Sequence, residues 1–286
     1  WYTFGELDRQ SDAVAHALLN DYGVRRGDRL SMFLGNCPES IVFYLAGLKT
    51  GAIVVPINIL YRDRELTHLL TDAEPRVLLC DPQRFEVLAP LRHQFDALEQ
   101  IFVTGADAPA ATRGFSELTE SAPDTPLSVS GITADDPALM IYTSGTTGNP
   151  KGALHAHRAL IGHMPGWELS HDLGPKPGDL AWTPADWAWI GGLANIVFCA
   201  WFHGVPVLSH RFRRFDPERA LDLLAKHQVR NTFMPPTALK FLRQVSSIDS
   251  SKLALRSIMC AGEPLGAEML HWGEAALGVK INEMFG

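Results

Sequence analysis

The 286 residues, at about 150 per domain, allow one large domain or two smaller ones, with ample chain for a buried core. The composition, 46% hydrophobic with 24 glycines and 19 prolines, excludes a disordered or fibrous chain. A net charge of −7 argues against long polyanions and anionic membranes as partners, yet leaves room for a local basic pocket around a phosphate.

In chain order, Leu7, Val14 and Leu18 recur at near-helical spacing after Thr3, a helix cap, and GVRRGD at 23–28 ends that helix before a strand at 29–34. A helix from Pro38 runs to Gly51, and AIVVPI follows as a strand with Pro56 near its end. A helix over 62–72, a strand at 76–80, a helix over 84–94 and a strand at 100–105 continue a βαβ rhythm. From Asp107 to Asp136 the sequence turns rich in Ala, Ser, Thr and Pro, with only FSEL at 115–118 suggesting a packed turn. This predicts a first α/β subdomain over 1–120, partly completed by later segments, a connection at 121–136 and a second α/β subdomain over 137–286. Strands are expected at 138–142, 179–183, 205–209, 231–235, 255–260 and 280–285, with a helix over 217–228 among the separators. Parallel sheets covered by helices account for the pattern, and no fixed-period repeat argues for a solenoid.

Cys37, Cys80, Cys199 and Cys260 are widely spaced without a CxxC pair, as expected of free thiols in a reducing compartment, and a cytoplasmic protein is the expectation. His155 and His157 have neither an HExxH pattern nor a Cys/His cluster beside them, so no metal ligands are expected within the chain. The most apolar stretch, 41–57, contains Lys49 and two glycines, and the N-terminus lacks a basic-then-apolar leader; neither a membrane span nor a secretory signal is expected.

The strongest local signal is YTSGTTGNPKG at 142–152, directly after an apolar strand. Thr143, Ser144, Thr146 and Thr147 supply hydroxyl donors, Gly145, Gly148 and Gly152 let backbone approach an anion, and Lys151 adds a mobile positive charge. That combination suits phosphate. Pro150 before the lysine and Gly152 after it rule out the GxxxxGK[ST] loop, and the GxGxxG spacing is absent. A nest of N–H groups and hydroxyls would grip β- and γ-phosphates while Lys151 and Mg²⁺ offset their charge.

This loop resembles the signature of the adenylate-forming (AMP-binding) superfamily, which includes acyl-CoA synthetases, luciferases and nonribosomal peptide adenylation domains. Two further segments match in the superfamily's order. AGEPL at 261–265, after the strand LRSIMC, resembles the Gly-Glu-Pro segment that lines the adenine site in acyl-CoA synthetases, placing Gly262, Glu263 and Pro264 there. INEMFG at the end resembles the start of the segment that continues into Thr, which helps hold phosphate, and Glu, which holds Mg²⁺; neither of those two residues is in this chain. By the same resemblance Asn282, Glu283, Met284, Phe285 and Gly286 belong to the nucleotide site, with the side that Asn282 and Glu283 face left open.

On the substrate side, WTPADWAWIGG resembles the Asp-x-x-Trp-x-x-Gly stretch that lines the acyl pocket of acyl-CoA synthetases, matched here by Asp186, Trp189 and Gly192. Trp189, Ile190, Gly191 and Gly192 are the pocket candidates, Trp189 ahead of Trp187. The tryptophans can instead fill the core, and the glycine pair can serve helix packing as well as ligand entry. His155, His157 and His163 either orient a donor or form polar structure.

The resemblance implies a fold of two doubly wound, mostly parallel-sheet subdomains of the superfamily's large N-terminal domain, with the smaller C-terminal domain absent. It implies an ATP-dependent acyl-CoA synthetase for a short- or medium-chain carboxylic acid, aromatic acids included, with Mg²⁺ as cofactor and coenzyme A as co-substrate. Catalysis would fall to Lys151 and Thr143, and the chain alone is expected to be inactive in the full reaction. An adenylation domain that loads a carrier protein, or a non-catalytic nucleotide-binding fragment, are the alternatives.

Overall fold

The computed structural model describes residues 1–120, 125–129, 131–143, 149–210, 212 and 214–285. Two units share the chain, Trp1–Ala159 and Leu160–Gly286.

The first unit opens with a helix, Phe4–Asn20, started by a reciprocal cap: Thr3 Oγ1 accepts from Glu6 N–H at 3.1 Å, and Glu6 accepts from Thr3 N–H at 2.6 Å. The sheet that follows has the order β5-β4-β3-β1-β2-β6-β7, from β1 (Arg29–Phe33), β2 (Ile53–Pro56), β3 (Val77–Cys80), β4 (Gln100–Val103), β5 (Arg113–Gly114), β6 (Pro137–Thr143) and β7 (Lys151–Ala156). All pairings are parallel except β6 with β7. The central strands are covered on both faces, which is why they read as unbroken apolar runs. Leu30, Val54 and Leu78 are fully buried, each contributing about 1.5–3 kcal/mol by leaving water. Helix Pro38–Thr50 stops at Gly51, whose φ of 72° is a left-handed cap that glycine adopts without strain. Its Gly47 lies against β2, where a Cβ would meet Val54 Cγ2 at 2.6 Å.

The later segments that complete the first unit are β6 and β7. Leu139 pairs with Val54 and extends the sheet past β2, so strands 137–143 and 151–156 pack with the first unit rather than beginning the second. Gly131 and Asp136, just before them, are held to the same unit, Arg26 donating to the Gly131 carbonyl at 2.7 Å and pairing with Asp136.

The second unit carries a parallel sheet of order β11-β10-β9-β8, from β8 (Ala181–Trp182), β9 (Asn231–Phe233), β10 (Ser257–Cys260) and β11 (Ile281–Glu283). Alternate residues of β10 face opposite ways. Ile258 and Cys260 join a cluster with Leu224, Leu239 and Leu277, while Met259 joins Trp167, Phe233 and Ile196 on the other face. This two-sided covering makes both units α/β layers, as expected. Among the described residues the run at 205–209 forms a single parallel bridge, Val207 with Ala181, and Pro206 has no N–H to extend the ladder toward Val205.

At the start of these strands lies a buried polar cluster. Asp179, its side chain 1% exposed, accepts from Arg256 at 2.7 and 3.2 Å and lies 3.4 Å from Arg230 Nε. Oriented with its amide nitrogen toward Asp179, Asn231 donates to that carboxylate at 3.0 and 3.1 Å and accepts from Arg256 and Ser257. His171 bonds Ser257 Oγ at 2.7 Å, and burial with the nearby Arg256 charge pushes its imidazole down to about 3. All four cysteines are free, and burial raises each thiol, those of Cys37, Cys199 and Cys260 to about 12. Among the described residues no helix is long and apolar enough to cross a membrane.

Candidate functional site

In the first unit, β6 and β7 form an antiparallel hairpin whose register pairs Thr143 with Lys151 and Tyr142 with Gly152. The hydroxyl-rich loop therefore leaves and returns through Thr143 and Lys151, both exposed at the mouth of the hairpin. Ser144, Gly145, Thr146, Thr147 and Gly148 lie outside the described residues.

Two contacts from helix Asp63–Ala73 meet the hairpin beside this mouth. Tyr142 Oη donates to Asp72 Oδ2 at 2.6 Å, and His68 Nε2 lies 2.7 Å from the Pro150 carbonyl oxygen. A carbonyl only accepts, so His68 Nε2 carries the proton. Burial, reinforced by Asp72, raises the Tyr142 hydroxyl well above its ordinary range and keeps it a donor. Gly152 fits here because a Cβ would lie 2.8 Å from Met140 Sδ and 3.1 Å from the Tyr142 ring. Sequence reasoning missed both contacts: His68 and Asp72 occupy polar positions of a helix whose signal is its apolar stripe, Leu66, Leu69 and Leu70.

His157 donates its backbone N–H to the Asp136 carbonyl at 3.0 Å, and burial lowers its imidazole's proton affinity. His163 is the residue before helix Met164–Ser170.

In the second unit, residues 261–265 follow β10. Gly262 has φ of 103° with nothing within 4 Å of a Cβ position, and Glu263 and Pro264 are exposed. Glu263 lies 3.9 Å from Lys240 across the surface. Glu283, in register with Cys260, turns its carboxylate to accept the Leu265 N–H at 2.8 Å. Asn282 points away from that carboxylate along the alternating strand, donating to the Ser170 carbonyl at 2.7 Å and to Asp172 at 3.3 Å. Met284 donates its N–H to the Cys260 carbonyl at 2.8 Å and packs its side chain against the Trp167 cluster. Phe285 is fully exposed, and Gly286 lies outside the described residues.

Trp187 is buried, whereas Trp189 is 40% exposed and caps the helical run over 190–202 with extended backbone. A Cβ on Gly191 would strike the Phe233 ring at 2.8 Å, and one on Gly192 would meet the Asp186 carbonyl at 2.7 Å. Close packing thus accounts for both glycines. Among the described residues no three His, Cys, Asp or Glu side chains gather where they could hold a metal ion. The residues described do not by themselves make a Mg²⁺ cage.

The chain is similar to known proteins along nearly its whole length. The chain is 29% identical to the acetyl-coenzyme A synthetase of Bacillus subtilis (strain 168) over 287 residues, covering 99% of this chain and 49% of that protein. It is 28% identical to the 3-hydroxybenzoate--CoA/4-hydroxybenzoate--CoA ligase of Thauera aromatica, covering 99% of this chain and 54% of the ligase. The chain thus spans about half the length of these curated relatives. Among solved structures, the anthranilate CoA ligase AuaEII in complex with anthranoyl-AMP superposes with a TM-score of 0.89 at 26% identity, covering 98% of this chain and 54% of that one. ATP-bound MatB from Rhodopseudomonas palustris superposes with a TM-score of 0.82 at 26% identity, over 99% and 54% of the two chains. The family profile described as AMP-binding enzyme matches residues 1–286, the whole of the sequence that carries the hairpin loop and the segment after β10, and the chain belongs to that family.

Proposed function

We propose that the protein carrying this chain is an ATP-dependent acid–thiol ligase that activates a carboxylic acid as an acyl-adenylate and transfers the acyl group to coenzyme A. The observation that carries the reading is the β6–β7 hairpin, which sets Thr143 opposite Lys151 at the two ends of a hydroxyl- and glycine-rich loop. Lys151 and the loop, Ser144 to Gly148 included, would hold the β- and γ-phosphates. Gly262, Glu263 and Pro264, with Met284, Phe285 and Gly286 after β11, would take the adenine, and Glu283 would brace that segment through Leu265. Asn282, bonded to Ser170, would act as support.

The acid's carboxylate already carries the nucleophilic oxygen that attacks the α-phosphorus, and pyrophosphate leaves with the bridging oxygen. No side chain has to remove a proton. Orientation and charge compensation are the catalytic terms, and Lys151 and Thr143 would supply them on the departing phosphates. Mg²⁺ supplies further charge compensation when bound to phosphate oxygens. The thiolate of coenzyme A, its proton given up to solvent, then attacks the acyl carbon, and AMP leaves with the electrons of the broken C–O bond. Trp189 and Ile190 would line the acyl pocket, and Gly191 and Gly192 would shape its wall by letting the helix approach Phe233 and Asp186.

The substrate is a short- or medium-chain acid, aromatic acids included; relatives named for acetate, hydroxybenzoate and anthranilate support that range. Four free thiols support a cytoplasmic setting. A panel of acids, scored for pyrophosphate release with and without coenzyme A, tests the proposal. Acid-dependent release and acyl-CoA formation are expected; release that needs a carrier protein instead of coenzyme A would overturn the thiol assignment.

A further inference from the structure

We infer that His68 and Asp72 are positioning residues for the phosphate loop, a clamp by which one helix holds both ends of the loop at the separation needed to grip a nucleotide's terminal phosphates. This deepens the proposed function and rests on its assignment of the loop to phosphate.

The two residues stand four apart on helix Asp63–Ala73, and so on one face of it. The apolar face is anchored: Leu66, Leu69, Leu70 and Ala73 are buried in the first unit's core. The polar face meets the hairpin at two places that bracket the loop. Asp72 takes the Tyr142 hydroxyl, one residue before Thr143, and His68 donates to the carbonyl of Pro150, one residue before Lys151. The rings of His68 and Tyr142 also meet edge to face, with centroids 6.5 Å apart. Opposite the Tyr142 ring, Gly152 leaves it room to sit against β7.

The loop's two ends are therefore tied to a third element as well as to each other. A nest of N–H groups binds an anion well only when its backbone is held in place before binding, because ordering it afterwards costs affinity. Pro150 fits the arrangement. Its ring fixes φ, and its carbonyl, fastened by His68, fixes the plane of the peptide that leads into Lys151.

The clamp is tested by measuring ATP and AMP affinities of the complete polypeptide by equilibrium titration, in parallel for His68→Ala, His68→Gln, Tyr142→Phe and Lys151→Ala. AMP lacks the β- and γ-phosphates, so a clamp on their loop affects ATP alone. His68→Ala and Tyr142→Phe are expected to weaken ATP about threefold to tenfold, the scale of one lost hydrogen bond, with AMP unchanged. His68→Gln, which keeps an N–H donor, is expected to recover most of the loss. If ATP and AMP weaken together, the residues serve the fold and the clamp is refuted. If His68→Ala and Tyr142→Phe match the parent while Lys151→Ala weakens ATP, the clamp is refuted and the loop's assignment stands. If Lys151→Ala also matches the parent, the assignment itself fails and the clamp with it. Should His68→Ala not fold, Tyr142→Phe, which removes one oxygen and keeps the ring, decides alone.

Discussion

The Glu283 carboxylate accepts the backbone N–H of Leu265 at 2.8 Å, joining the end of β11 to the loop that follows β10. Leu265 is buried, so the bond ties an exposed strand end to a residue fixed in the core. Glu283→Ala frees the loop carrying Gly262, Glu263 and Pro264. A hydrogen bond to a charged group at an exposed position is worth about 1–1.5 kcal/mol, so nucleotide affinity should fall about fivefold to tenfold. Glu283→Gln keeps an acceptor oxygen and should fall less. Titration with AMP checks this, since the effect is assigned to the adenine end.

Lys151→Ala should lower kcat/KM for ATP at least about tenfold, the loss of a charge-assisted contact to phosphate, while leaving the melting temperature unchanged. The side chain is exposed at the head of β7, and the fold loses little with it. Steady-state kinetics and thermal melting, run on the same preparation, separate the two effects.

Trp189→Gly should shift the acid preference toward bulkier substrates. Each methylene newly accommodated is worth about 0.8 kcal/mol, so a two-carbon extension should gain about tenfold in relative kcat/KM. Trp187→Gly, at a buried position, should lower stability and leave the profile where it was. An unchanged profile in Trp189→Gly would remove that residue from the pocket.

Asp179→Ala should destabilise the second unit by about 3–5 kcal/mol, because Arg256 and Arg230 lose the carboxylate they share. Denaturant unfolding measures it. His171 adds a pH dependence. Its imidazole is neutral in the fold, held down to about 3 by burial and Arg256, against about 6.5 in the unfolded chain. Below about pH 6.5 the unfolded state binds the extra proton, so stability contributed by neutral His171 is present above that pH and declines as pH falls toward 3. His171→Gln should flatten the loss between pH 7 and pH 5, and an unchanged slope would reject the assignment.

The parts of the fold legible in the sequence are those where burial writes a periodic pattern. β1, β3 and β10 are buried on both faces and appear as short apolar runs; Thr3 and Gly51 mark helix ends through their own backbone chemistry. β7 was not legible, because Lys151 to Leu154 are exposed and an edge strand without a buried face has no apolar alternation to read. Val207 looked like a strand centre, but among the described residues its run forms a single bridge, and the proline beside it has no N–H to extend the ladder. At the site, residue types identify the loop, since glycines, hydroxyls and a lysine in one short run suit an anion. What holds that loop depends on partners 70 and 82 positions away in sequence, Asp72 for Tyr142 and His68 for Pro150. No local pattern encodes such pairings. The same is true of Glu283, whose partner Leu265 becomes a neighbour only when β10 and β11 align.

Whether this family member activates a carboxylic acid on ATP is read from the exchange of labelled pyrophosphate into ATP by the complete polypeptide. Exchange is expected to require both a short- or medium-chain or aromatic acid and an intact Lys151, and to give way to acyl-CoA formation when coenzyme A is added. Binding of ATP with no exchange on any acid would contradict such activation.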